Sequence, residues 1–289
     1  MEIQIVDNKA IWDGFLLKNN AVFTQSWGWG AVLLSEGKKV EILFVLDGSE
    51  IIAAILVTYN FFPFGVKYAS CAWGPVFAHD LKVKHGECLD ALGKYFADSG
   101  CVFARIEPIV QLNTKSVYKL KQTKDVSPSH TLILDLDASE DQIMSGIDKK
   151  TRYEIRQAQK NNLEVKEQKD FGIFWSLMKK TASHDGFRTH SEDHYKKILA
   201  SDSSVQLNAY YHGQPIATAI FWHWGKMFTY LFAATDRNFS TLSAAYLIQW
   251  EAIKWATNNE CAAYDFFGVA PKINAIDAPY NYDRKHRYA

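Results

Sequence analysis

The chain has 289 residues, 48% hydrophobic and 22% charged, a balance that supports a folded core and excludes long disorder or low-complexity tails. Lysine plus arginine number 32, as do aspartate plus glutamate, so no global field draws the chain to nucleic acid or an anionic surface, and any such partner must be held by a local patch. The 18 Phe, 14 Tyr and 9 Trp are enough to fill a core and line pockets too.

In chain order, the opening Met-Glu-Ile-Gln-Ile-Val has no secretory character, and Cys71, Cys88, Cys101 and Cys261 show no paired CxxC spacing. Reduced, buried thiols and a cytoplasmic location are expected. A first hairpin is predicted where Asp47-Gly-Ser-Glu-Ile-Ile-Ala-Ala-Ile55 turns on Gly48. Its apolar run, Ile51 to Val57, falls far short of the about 20 residues a spanning helix needs. No spanning segment is expected, and peripheral membrane contact stays open. A strand follows at Lys67–Ala72, an amphipathic helix at Leu89–Ala97, and a strand at Val102–Ile106 after Asp98-Ser-Gly-Cys101. The strand His130–Leu136 is expected to close a first domain of residues 1–137, after which Ser139 offers a helix N-cap.

The second stretch, 138–289, echoes the first. His212-Gly-Gln-Pro-Ile-Ala-Thr-Ala-Ile220 repeats the hairpin at an offset of 165 residues, and Cys261, after Asn258-Asn-Glu, repeats Cys101 at an offset of 160. Between them lie a strand at Met227–Ala233, a helix at Gln249–Ala256 and a strand at Ala262–Phe267. Echoes in one order at nearly one offset predict a duplicated α/β unit, each a mixed sheet covered by helices. No Gly-rich dinucleotide fingerprint or phosphate loop follows any strand, and the histidines lack metal-ligand spacing, so neither a cofactor nor a metal is expected.

The helix after Ser139 carries two stripes. Projected at 100° per residue, Ile143, Ile147 and Ala158 lie together, and Lys149, Arg152, Arg156 and Lys160 gather opposite. A solvated face and a polyanion-binding face are both consistent with that pattern, although few acids stand at the spacing that would pair with these cations.

At this helix the sequence resembles a known family. Lys150-Thr-Arg-Tyr-Glu-Ile-Arg-Gln-Ala-Gln159 is similar to the signature helix of the Fem-type peptidyltransferases, the peptidoglycan bridge or lipid II aminoacyltransferases. Six further segments agree in order: Thr24-Gln-Ser-Trp-Gly-Trp-Gly30; Phe62-Pro-Phe-Gly65 with Trp73-Gly-Pro-Val76; Arg105-Ile-Glu-Pro108; Asp185-Gly-Phe-Arg188; Tyr246-Leu-Ile-Gln-Trp-Glu-Ala-Ile253; and Tyr264-Asp-Phe-Phe-Gly268. The resemblance implies two tandem acetyltransferase-like (GNAT) domains. It also implies transfer of an amino acid from aminoacyl-tRNA to the stem peptide of a peptidoglycan precursor, nucleotide-linked (UDP) or lipid-linked. The family's active-site lysine follows a segment at which this chain ends, Ala289, so no catalytic residue is assigned. Shortly after Trp-Gly, where the family carries a lysine, this sequence has Ala31-Val-Leu-Leu34.

The family segments nominate Arg188 to hold a substrate diphosphate as a bidentate fork, in an acceptor pocket between the domains with Tyr246. Tyr195, Tyr230 and the strand-end acid Glu107 complete the substrate candidates, each with a bland alternative in packing or loop capping; Asp265 reads as structural. Lys149, Lys150, Arg152 and Arg156 are the tRNA candidates. Two other functions compete: an acyl-CoA N-acyltransferase, and a non-catalytic GNAT scaffold that binds RNA or precursor. The glycine-free Asp236-Arg-Asn-Phe-Ser-Thr-Leu-Ser243, where a CoA pyrophosphate loop would stand, speaks against the first.

Overall fold

A computed structural model describes residues 1–79, 84–112 and 115–269. The segment ending at Ala289 lies outside the described residues, and so does any test of how it leads on. The chain divides between Ser127 and Pro128 into two compact units.

The first unit runs β1 (Glu2–Ile5), α1 (Lys9–Lys18), α2 (Trp27–Ser35), β2 (Lys39–Asp47), β3 (Glu50–Phe61), β4 (Lys67–Cys71), β5 (Val76–Phe77), α3 (His85–Asp98) and β6 (Cys101–Ile106). The strands order as β1-β2-β3-β4-β6, with β5 also on β3. All pairs are antiparallel except β4–β6, which α3 joins as a crossover. Ala53–Val57 of β3 is buried on both faces, as its unbroken apolar run implies. Leu92 and Phe96 of α3 pack there against Val45, Ile55 and Val57, each contributing roughly 1.5–3 kcal/mol by its burial.

The Thr24–Gly30 segment is built into this unit. Gln25 is fully buried; its amide donates to the Ala72 carbonyl (2.6 Å) and its side-chain oxygen accepts from the Leu56 amide (2.8 Å), while its own carbonyl takes the Trp12 indole N–H (2.9 Å). A Cβ on Gly74 would lie 2.9–3.0 Å from the Gln25 side chain, so glycine is required in Trp73-Gly-Pro-Val76 for that amide to reach β3. Ser26 then caps α2 by accepting from the Trp29 amide.

The second unit contains β7 (Thr131–Asp135), α4 (Glu140–Gly146), α5 (Lys149–Lys160), β8 (Glu164–Glu167), α6 (Phe171–Asp185), α7 (Glu192–Ala200), β9 (Ser204–Tyr211), β10 (Gln214–Trp224), β11 (Met227–Thr235), α8 (Ala244–Asn258) and β12 (Ala263–Gly268). Its order, β7-β12-β11-β10-β9-β8, read from β8 to β12, repeats β1 to β6 of the first unit, including the one parallel pair, β11–β12. Gly48 and Gly213 both take positive φ at the turn of the equivalent hairpin, and Cys101 and Cys261 both precede or open the strand after the equivalent helix. The fold is two tandem GNAT-like units of mixed α/β structure.

Two sequence expectations are corrected. The strand 131–135 does not close the first domain: it pairs antiparallel with β12, Leu134 opposite Tyr264, and packs Leu134 and Leu136 into the second core. An edge strand takes its side from a partner over a hundred residues away, which local pattern does not reveal. The single helix expected after Ser139 is also two. Ser139 caps α4 through a capping box with Gln142, but Ile147 and Asp148 are extended, and Asp148 caps α5 by accepting from the Lys150 and Thr151 amides. Ile143 and Ala158 still reach the core, with Ile155, through two helix axes rather than one stripe.

All four cysteines are free, and Cys71, Cys88 and Cys261 are buried. Burial raises each thiol, that of Cys88 to about 12 and that of Cys261 to about 11.

Candidate functional site

The second unit concentrates the candidate residues. Helix α6 ends when Gly186, in the left-handed region (φ 69°), returns its amide to the Ala182 carbonyl. The chain then passes through Phe187, Arg188 and Thr189 to Ser191, which caps α7 by accepting from the His194 amide (3.2 Å). This turn and one face of α6 form a shallow cleft of about 470 Å³ lined by Trp175, Lys179, Ala182, Ser183, Phe187, Arg188 and Thr189. Arg188 and Lys179 are exposed, no acid lines the cleft, and neither cation forms an ion pair among the described residues. Lys179 lies 5.8 Å from the centre of the Trp175 ring, one helical turn before it. The cleft therefore offers two cations beside an aromatic plane. Trp175 and Lys179 were not anticipated, although their i, i+4 spacing, continued by Ala182 and Ser183, puts all four on one helix face.

Tyr246 stands in the first turn of α8, 39% exposed, and is not among the residues lining that cleft. Tyr195 is 2% exposed. Its ring packs edge-on against Phe232 (5.1 Å) and its hydroxyl accepts from the His190 amide (3.3 Å), so it fastens the loop that carries Arg188. The buried trio Tyr195, Ile198 and Leu199 follows helical spacing, a signal for packing that the sequence does contain.

Tyr230 lies where β11 and β12 part. Their register runs from Met227 opposite Ala263 to Thr229 opposite Asp265, after which β12 continues beside β7. Burial pushes the Tyr230 phenol up to about 12, against a hydrogen bond with Gln249 that lowers it. The same Gln249 accepts from the Tyr264 hydroxyl at 2.5 Å, and burial holds that phenol far above its ordinary range too. Both stay protonated at neutral pH, so they can donate hydrogen bonds and cannot serve as phenolate bases. Asp265 accepts from the Thr131 hydroxyl and the Phe267 amide, tying β12 to β7.

Glu107 belongs to the first unit. Burial alone would raise its carboxyl, but hydrogen bonds from Ser127, the Arg105 guanidinium (2.9 Å) and the Val126 amide (3.3 Å) outweigh that and hold it below the usual range. Its oxygens serve the segment that leaves the sheet.

On α5, Lys149, Lys150, Arg156 and Lys160 are exposed and make no ion pair among the described residues, and Tyr153, 58% exposed, lies within the same face. Arg152 differs: its guanidinium donates to the Ser145 carbonyl (2.8 Å) and to that of Ile147, closing the end of α4. The break between α4 and α5, which the sequence projection missed, takes this charge out of the stripe.

Before α8, Asp236 is 5% exposed, accepts from Lys180 (2.7 Å) and from the Asn238 amide (3.1 Å), and is held below its ordinary value first by Lys180. Arg237 pairs with Asp185. The turn Arg237–Leu242 is thus clasped to α6, and the hydroxyl of Ser243 goes to Glu154 rather than to the first turn of α8.

Comparisons with known proteins agree with the tandem GNAT-like fold. The FemAB family model matches residues 12–125 and an acetyltransferase (GNAT) domain model matches 149–282. The fold is similar to a crystal structure of FemX, with a TM-score of 0.79 at 15% identity over 97% of this chain and 92% of that one. It is also similar to L-PGS from Bacillus licheniformis (TM-score 0.53, 11% identity, 96% and 84% covered) and to a tandem GNAT protein from the clavulanic acid biosynthesis pathway (0.50, 9%, 96% and 91%). No curated protein matches in sequence.

Proposed function

We propose that the chain, built of two GNAT-like units, is a Fem-type acyltransferase that transfers an amino acid from aminoacyl-tRNA to the stem-peptide amine of a peptidoglycan precursor. The observation that carries the reading is that the second unit presents two separate sets of exposed cations without acidic partners among the described residues. The face of α5 (Lys149, Arg156 and Lys160 around Tyr153, with Lys150 alongside) suits a nucleic-acid backbone, where lysines neutralise phosphates and an aromatic ring can stack. The Arg188–Lys179 cleft suits the diphosphate shared by nucleotide-linked and lipid-linked precursors, with Trp175 alongside as an apolar plane.

The chemistry asks mainly for placement. The aminoacyl ester is already activated; the stem-peptide amine, after losing a proton, attacks its carbonyl carbon, the amide C–N bond forms, and the ester C–O bond breaks to return the ribose hydroxyl. Protonated, half-buried Tyr230 fits hydrogen-bond donation where β11 and β12 part, and Tyr264, its hydroxyl donating to Gln249, orders that wall. Tyr246, exposed in the first turn of α8, remains a candidate for the acceptor, and Glu107 acts on its own unit's exit segment. Cytoplasmic action follows from the donor, since charged tRNA is found there.

Incubating the full chain with labelled aminoacyl-tRNA and a nucleotide-linked muropeptide should move label to the peptide. Changing Lys149, Arg156 and Lys160 together to Glu should weaken tRNA binding and lower its salt slope by about three units. Unaltered tRNA affinity and slope would remove α5 from the interface. An acyl-CoA donor has one point in its favour, the N-terminus of α8 without a side-chain cap. Against it stands the turn before that helix, glycine-free and clasped by Asp236 and Arg237. Calorimetric titration of CoA separates the donors.

A further inference from the structure

The hairpin between β3 and β4 carries side chains that folding does not explain. At its tip Phe64 is 104% exposed, and Phe61, Phe62 and Val66 around it are exposed as well. Phe64 also sits at φ 66°, a left-handed conformation that costs a bulky L-residue free energy and that asparagine or glycine would adopt more readily. Among the described residues the ring therefore packs against nothing, and it does not suit its backbone. Behind the tip, Phe62, Tyr68 and Phe103 stack at 4.8 and 4.9 Å between centroids, which stiffens the loop's base and leaves the tip projecting.

The segment that carries the tip holds no acid of its own. No acid occurs between Ile51 and His79. Lys39, exposed at the start of β2, holds its ammonium 5.2 Å from the Phe61 ring centre, and Lys67 stands over Tyr59 at 3.8 Å. The nearest acid on β2, Glu41, is turned to the hydroxyls of Tyr59 and Tyr95. In a chain of zero formal net charge, this is a convex aromatic point with a basic collar.

We propose that this hairpin tip is a peripheral membrane contact, inserting Phe64 with its aromatic neighbours at the headgroup boundary of an anionic bilayer while Lys39 meets lipid phosphates. A projecting tip penetrates a fluid interface without needing a matching hollow, aromatic rings partition to that depth, and lysine stems let their amines reach the headgroups. The inference is independent of the acyl donor. It bears on the acceptor, because an enzyme resting on the bilayer meets a lipid-linked precursor in two dimensions.

The test is flotation of the full chain with phosphatidylcholine vesicles containing about one-third phosphatidylglycerol. The wild-type chain should float with these vesicles at low salt. Phe64→Asn should weaken partitioning by about tenfold, the loss expected for one aromatic side chain, while its melting temperature stays level or rises because asparagine tolerates the backbone. Lys39→Gln should weaken binding about fivefold, and only when phosphatidylglycerol is present. Absence of wild-type binding, or equal binding by Phe64→Asn, overturns the proposal. So does concentration-dependent self-association in sedimentation velocity that Phe64→Asn abolishes without any vesicle binding, which would assign the tip to a second copy.

Discussion

The two units share a strand order and use their family-like segments in opposite ways. In the first, Gln25, Gly74, Arg105 and Glu107 are engaged with their own backbone: the Gln-Ser-x-x-Trp-Gly and Gly-Pro-Val segments are two halves of one lock, and the Arg-Ile-Glu-Pro strand end ties down its exit segment. In the second, Arg188 and Lys179, with Lys149, Lys150, Arg156 and Lys160 of α5, are exposed and form no ion pair among the described residues. A duplicated sheet thus says little about where chemistry lies, because the strands set the frame and the loops and helix faces differ in what they leave unsatisfied.

The largest effect that would test this contrast is Gln25→Ala. It strands the Leu56 amide and the Ala72 carbonyl in a buried setting and opens a void, so denaturant unfolding should show a loss of about 3 kcal/mol. A loss under about 1 kcal/mol would mean that the lock is not structural. Next is Arg188→Lys, which keeps the charge and removes the fork. Affinity for a nucleotide-linked precursor should fall by about 1.5–3 kcal/mol, read by calorimetry, with little movement in melting temperature.

Asp236→Asn comes third and should cost about 1–2 kcal/mol at neutral pH, discounted because the Lys180 amine is half exposed. Its sign with pH is fixed. Lys180 holds the folded carboxyl below its unfolded value, so its stabilisation is complete above the unfolded pKa of about 4 and is lost as pH falls through the lower folded value. Wild type and variant should therefore converge in thermal melts on the acid side. The smallest effect is Arg152→Gln, about 1 kcal/mol or less, from the lost closure of α4. The salt slope of tRNA binding should stay put, and a fall of one unit would return Arg152 to the stripe.

Much of this frame is legible in the sequence. The Gly48 and Gly213 turns, the helix before each Cys101-like position and the Ser139 cap are local patterns, and each appears where its chemistry puts it. What escapes is nonlocal or depends on a single peptide. Strand β7 chooses its sheet through a distant partner, and two extended residues, Ile147 and Asp148, end one helix and start another without a glycine or proline to mark the place. Of the site residues, Arg188 lines a shallow cleft that Tyr246 does not share, and the burial of Tyr195 follows from the apolar spacing of α7. Phe62-Pro-Phe-Gly65 is read in the sequence only as a family-like segment, and the exposure of Phe64 is seen in the structure.

The buried cysteines have a use beyond packing. With Cys88 near 12 and Cys261 near 11, and with Cys71 and Cys101 also raised by burial, the thiolate fraction at neutral pH is on the order of one in ten thousand or less for the first two. Alkylating reagents and peroxide act on thiolate, so the three buried thiols form a slow background and half-buried Cys101, replaced by Ser, leaves no natural competitor. A single surface thiol introduced by Phe64→Cys would react ahead of them, giving a native chain with one addressable label at the hairpin tip for fluorescence or spin probes.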